Sequence, residues 1–258
     1  MMVLLPKLLA RELVQPMRVL TLFPALVVGV ALAGVLFTGI LEGRSGLRDL
    51  FSRIGRWRIE VRWYAAALLI PPFLISVILL SLSFLLAPGF SPNFFPLGIL
   101  FGLFPGFFEE IGWMGYAFPK MKANHSALRT SIILGVLWAL WHLPVVNYLG
   151  AAAPHGRWWP LFFVAFGATL TAMRVLVAWV YCNTQSLFLA QLMHSSFTGS
   201  LVVLSPSHLS AAQETFWYAL YAIVAWIAVV LVALMCGKDL VRQSGSTGLA
   251  ESLISRGR

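Results

Sequence analysis

Seven stretches of about 20 mostly apolar residues, near 20–41, 63–87, 97–118, 130–149, 159–181, 186–204 and 216–236, leave this chain few folds to adopt. Each is long enough to cross the hydrocarbon of a bilayer as a helix. Backbone in that medium must satisfy its own hydrogen bonds, which only helices and closed barrels achieve. The runs are continuous rather than alternating with period two, which argues against a barrel. Composition agrees: 60% of residues are hydrophobic and 10% charged, with a mean hydropathy of +0.87, where a soluble domain carries about a quarter charged residues. The sequence predicts an all-α polytopic membrane protein forming one membrane domain over 1–258. Within it, 1–62 reads as an amphipathic N-terminal segment, a first span and a basic loop. Residues 63–204 form the core, and 205–258 the last span with a basic tail.

The net charge of +9 does not point to nucleic acid, because the basic residues occupy short connections between apolar runs. That is the pattern by which Lys and Arg orient a membrane protein. The 42–62 loop, with Arg44, Arg48, Arg53, Arg56, Arg58 and Arg62, is expected on the cytoplasmic side. Alternation then places 119–129 (Lys120, Lys122, Arg129) and the tail (Lys238, Arg242, Arg256, Arg258) on the same side. The connections at 88–96, 150–158 and 205–215, with only Arg157 among them, fall outside. The N-terminus also falls outside, against the pull of Lys7, Arg11 and Arg18; Met1–Leu20 reads as an interfacial amphipathic segment rather than a cleaved leader. Trp57 and Trp63 interleaved with arginines suit the headgroup level of an anionic leaflet. Cys182 and Cys236 stand far apart without metal-ligand spacing and read as small apolar helix residues.

Against this apolar background the ionisable residues at membrane depth carry the information, because such groups are costly there and face wet cavities or partners. Glu109 and Glu110 are adjacent inside the third span. His142, Arg174 and His194 lie in three others, whereas His125, His155 and His208 fall in connections and are expected at the surface. At 1.5 Å per residue, Glu110 and His194 lie about 12 Å from the cytoplasmic ends of their spans, His142 about 18 Å and Arg174 about 10 Å. The helices are therefore expected to enclose an intramembrane polar cavity on the cytoplasmic side. Trp138 shares a helix face with His142, and Thr198 with His194, each pair being four residues apart. Pro144, two residues beyond His142, frees carbonyls of the kind that line cavities. The chemistry that suits these groups is water activation: a carboxylate takes a proton from water, one histidine holds the water, and a second with a hydroxyl steadies an oxyanion. Glu109, His142 and His194 are alternatively a ligand set for a divalent metal such as zinc.

Glu109-Glu110, Trp138-Ala139-Leu140-Trp141-His142-Leu143-Pro144 and His194-Ser195-Ser196-Phe197-Thr198, in that order on separate helices, resemble the EExxxR, FxxxH and HxxxN motifs of the CAAX prenyl endopeptidase and bacteriocin-processing family, also called CPBP or Abi. Val180–Leu187 and the arginine-rich segment ending in Arg62-Trp63-Tyr64 extend the likeness over about 45–205. The resemblance implies an intramembrane endopeptidase acting on a peptide or lipidated protein, and the compactness of the chain leads us to expect a prokaryotic plasma membrane. It makes Glu109 the base, Glu110 its partner, His142 a holder of water and His194 part of the oxyanion site. The sequence departs from the pattern at Met114, where the motif has Arg, and at Thr198, where it has Asn. Arg174 is the expected substitute for the missing cation. These departures also allow a second function, a degenerate homologue that binds a membrane peptide as an immunity protein does. A transporter is a third; no repeated half supports it. Membrane lipids are the expected surroundings, and the oligomeric state is open.

Overall fold

A computed structural model describes residues 22–143 and 155–242, which fold into helices with no strand among them. The amphipathic N-terminal segment, Pro144 and the end of the basic tail lie outside the described residues. The helices are α1 (Leu22–Ile54), α2 (Val61–Leu85), α3 (Gly98–Gly112), a π-helical turn (Trp113–Ala117), α4 (Phe118–Lys122), α5 (Ala127–Trp141), α6 (Trp159–Thr184), α7 (Leu187–Leu204) and α8 (Ala211–Cys236). Ser126, Ser186 and Ser210 cap α5, α7 and α8 by accepting a backbone N–H, and Gln185 turns the chain between α6 and α7 in the left-handed region (φ 53°).

Among the described residues, five helices are long and apolar enough to cross a membrane: Pro24–Ile54, Val61–Leu85, Gly156–Thr184, Leu187–Leu204 and Ala211–Cys236. One of the seven expected spans is not a single α-helix. The 97–118 span becomes α3, the π turn and α4 in succession, because Pro119 has no N–H and its ring crowds the preceding turn. Within the 130–149 span, α5 ends at Trp141, and residues 144–149 lie outside the described residues. The expected 42–62 loop is also corrected. Gly43 (φ 65°) bends α1, which then continues as a helix to Ile54. Leu47, Leu50, Phe51 and Ile54 repeat at helical spacing, with Leu50 buried and Arg44 and Arg48 exposed, as in a helix lying at the membrane surface.

The central rod is α6. Every residue from Thr169 to Ala178 is buried, as expected of a helix that neighbours surround on all sides. It packs against α5 and α8, while α7 lies along α3. That last contact is made backbone to backbone through Gly98, Gly102 and Gly106, one per turn. A Cβ on Gly102 would lie 2.4 Å from the amide of Gly199 and the carbonyl of Ser195. The outer faces present a belt of exposed apolar side chains, Leu36, Phe73, Phe84, Val164 and Leu234 among them.

Candidate functional site

The glycine-lined approach of α3 to α7 sets Glu110 beside His194, and α5 and α6 close the site from the other side. Glu109 and Glu110 end α3 and diverge by about 100° around it, so they meet different partners. Glu109 Oε2 accepts from the indole Nε1 of Trp138 at 2.9 Å. Glu110 accepts from Arg174 Nη1 on both oxygens at 2.7 Å, and Oε1 also accepts from His194 Nδ1 at 2.6 Å. Glu109 is 4% exposed, His194 2%, and Glu110 and Arg174 are fully buried.

Trp138 is the hub of the group. Its ring centroid lies 4.8 Å from that of His194 and 5.3 Å from that of His142, and Arg174 Cζ sits 4.3 Å from it. Arg174 Nε and Nη2 have no hydrogen-bond partner. The guanidinium lies between Trp138 and Trp113, at 4.3 and 6.0 Å from their centroids, where two π faces stabilise a cation that water does not reach. His142 follows the last residue of α5 with Nδ1 2.8 Å from the carbonyl of Trp138. A carbonyl only accepts, so Nδ1 carries the proton and Nε2 keeps its lone pair. Trp138 therefore holds Glu109 with its side chain and orients His142 with its backbone.

The structure thus brings together Glu109, Glu110, Trp138, His142, Arg174 and His194. The cation beside Glu110 comes from Arg174, 64 residues along the chain, while Met114 is buried in the π turn. Thr198 is half-buried one turn beyond His194. Among the described residues no three His, Cys, Asp or Glu side chains are grouped as a metal ion requires. One expectation about histidines is corrected: His155 is buried, stacked on Phe162 at 3.8 Å and 3.1 Å from Glu214, because α6 and α8 close over it. Three features escaped the sequence reading. The hydrogen bond from the Trp138 indole has no sequence signature, the Gly98, Gly102 and Gly106 spacing was visible, and the contacts of Arg53 depend on a fold-level approach.

Fold and site together define a helical membrane protein with a buried carboxylate–histidine–arginine cluster between four helices. Residues 91–200, which include every site residue above, match the family described as type II CAAX prenyl endopeptidase Rce1-like. A stretch of 132 residues is 30% identical to CAAX prenyl protease 2 of Methanococcus maripaludis, covering 49% of this chain and 45% of that protein. The match thus spans less than half of that relative's length. Residues 91–200, the stretch that carries the site, are thus similar to the CAAX prenyl endopeptidase-like family.

Proposed function

We propose that the chain is an intramembrane endopeptidase of the CAAX type, opening to the cytoplasmic side of a prokaryotic plasma membrane and hydrolysing a peptide bond near the end of a peptide or lipidated protein. The observation that carries this reading is the division of labour between two adjacent, buried carboxylates. Glu110 is neutralised by Arg174 and tied to His194, whereas Glu109 receives one indole N–H and keeps an oxygen for a water. In the reaction, Glu109 takes a proton from that water while His142 Nε2 accepts its other hydrogen. The resulting hydroxide attacks the carbonyl carbon, the carbonyl π electrons move to oxygen, and the Thr198 hydroxyl donates to the oxyanion, joined by His194 Nε2 when that ring carries both its protons. Collapse breaks the C–N bond, and Glu109 passes its proton to the leaving amine. A positioned general base of this kind contributes about 10²–10⁴-fold.

The test is cleavage of a farnesylated CAAX peptide by purified protein, comparing wild type with Glu109→Ala, with and without chelator. Cleavage that falls by at least about a hundredfold in the variant supports the reading, and the chelator arm decides whether a metal takes part. Equal cleavage by Glu109→Ala overturns it. The second reading, a peptide-binding homologue that does not cut, draws on Thr198, whose hydroxyl reaches less far than the amide in the family motif. Cleavage that appears only in Thr198→Asn favours that reading.

A further inference from the structure

The π turn that follows Glu109 and Glu110 has a carbonyl whose α-helical donor is missing. In an α-helix the carbonyl of Gly115 accepts from the amide of residue 119, and residue 119 is proline, which has no N–H. The missing donor comes from outside the segment. Arg53, near the end of the surface portion of α1, donates from Nη2 to the Gly115 carbonyl at 2.9 Å and from Nη1 to the Tyr181 hydroxyl at 2.7 Å. Its Nε lies 3.0 Å from Asp49. Leu50, one turn earlier, is fully buried against the same glycine: a Cβ on Gly115 would lie 2.7 Å from Leu50 Cδ1 and 3.1 Å from Leu187 Cδ2. The surface helix therefore docks on the π turn through two residues.

The second acceptor links this contact to the site. Tyr181 and Arg174 are seven residues apart on α6 and share a face. Arg174 joins α6 to α3 at Glu110, and Arg53 joins α6 to the π turn five residues further on. Two arginines thus pin the segment carrying the carboxylates to α6, one just before the π turn and one within it. A cavity of about 570 Å³, lined in part by Glu42, Lys120, Tyr181 and Gln185, borders the Arg53 side chain. Without the guanidinium, water from that cavity is the next donor available to Gly115.

We infer that Arg53 is a positioning residue for the Glu109–Glu110 pair, substituting for the amide that Pro119 lacks and coupling the membrane-surface helix to the site. Only the kinetic part of this inference rests on the hydrolase reading. The test combines hydrogen exchange of residues 109–118 with peptide-cleavage kinetics, on full-length protein in lipid nanodiscs, for wild type, Arg53→Gln, Arg53→Lys, Pro119→Ala and the double variant Arg53→Gln/Pro119→Ala. Losing a hydrogen bond from a charged donor should speed exchange of the π turn roughly tenfold in Arg53→Gln. The same variant should lower kcat about tenfold per folded molecule with KM within about twofold, because ground-state binding of the peptide is untouched. Arg53→Lys, which reaches one acceptor but lacks the fork, should fall between. In the Pro119→Ala background a backbone N–H is available to Gly115, so adding Arg53→Gln should change exchange by less than about threefold. Unchanged exchange in Arg53→Gln overturns the inference, as does an undiminished tenfold effect in the Pro119→Ala background. A fall in melting temperature with kcat unaltered likewise overturns it. If wild type cleaves no peptide, the hydrolase reading fails on its own evidence, and the exchange arm still decides whether Arg53 holds the turn.

Discussion

Arg174 and Glu110 form a fully buried pair, and at the residue scale the consequence is asymmetric. Removing one partner of such a pair leaves an uncompensated charge and costs about 3–5 kcal/mol, whereas removing both costs much less. Arg174→Gln is therefore expected to lower thermal stability strongly in a detergent melting assay and to abolish any activity. The double variant Arg174→Gln/Glu110→Gln should recover much of the melting temperature without recovering activity. A single variant as stable as wild type would mean that the charge at Glu110 needs no partner. The individual groups were legible in the sequence because an ionisable residue among apolar ones stands out at any position. Their pairing was only partly legible: depth along each span set Arg174 near the level of Glu110, yet nothing in the sequence assigns Trp138 Nε1 to Glu109 rather than to a backbone carbonyl. Helix rotation decides that, and rotation comes from packing.

At the level of elements, that packing is set by α3 against α7. Gly102 lets the two backbones meet, and a side chain there has nowhere to go, since its neighbours are the amide of Gly199 and the carbonyl of Ser195 rather than a side-chain tip that can swing away. Gly102→Leu is expected to separate the helices, stretch the Glu110–His194 contact of 2.6 Å and cost at least about 1–3 kcal/mol by overpacking. Gly29→Ala is the matched control. A Cβ there meets nothing within 4 Å, so it should leave the melting temperature unchanged or raise it slightly, as Ala favours helix over Gly by up to about 1 kcal/mol. Equal melting of the two variants would remove the close approach as an organising contact. The rods themselves were readable from hydropathy, because length and apolarity are summed properties. Their interruptions were less so. Pro119 marks the π turn only once the carbonyl it leaves open is seen to have another donor, and Pro71 and Pro72 sit inside α2 without ending it. The helix after Gly43 was hidden by its own arginines, whose charge suggested a loop although Leu47, Leu50, Phe51 and Ile54 kept the helical period.

The whole molecule has two unlike ends. Arg53 touches Tyr181, Ser186 donates to the Arg56 carbonyl, Lys120 pairs with Glu42, and the amide of Leu128 donates to Lys238. These contacts gather Arg44, Arg48, Arg53, Arg56, Arg58, Arg62, Lys120, Lys122, Arg129, Lys238 and Arg242 at one end. At the other, the amides of Asn93 and Phe95 bond the carbonyls of Leu204 and Val203, and Arg157 is the basic residue of that end among the described residues. Each Lys or Arg near an anionic leaflet contributes about 1 kcal/mol, so the difference between the ends sets a strong preference for the basic end to face the cytoplasm. Single cysteines report this directly. In a chain with Cys182 and Cys236, both buried, replaced by alanine, Asn93→Cys should react with a membrane-impermeant maleimide in intact cells. Asn124→Cys should react only after permeabilisation; both positions are exposed. The reverse pattern would turn the molecule over. The cavity beside Arg53, lined by Glu42, Asp49, Lys120 and Lys122, would then open away from the cytoplasm.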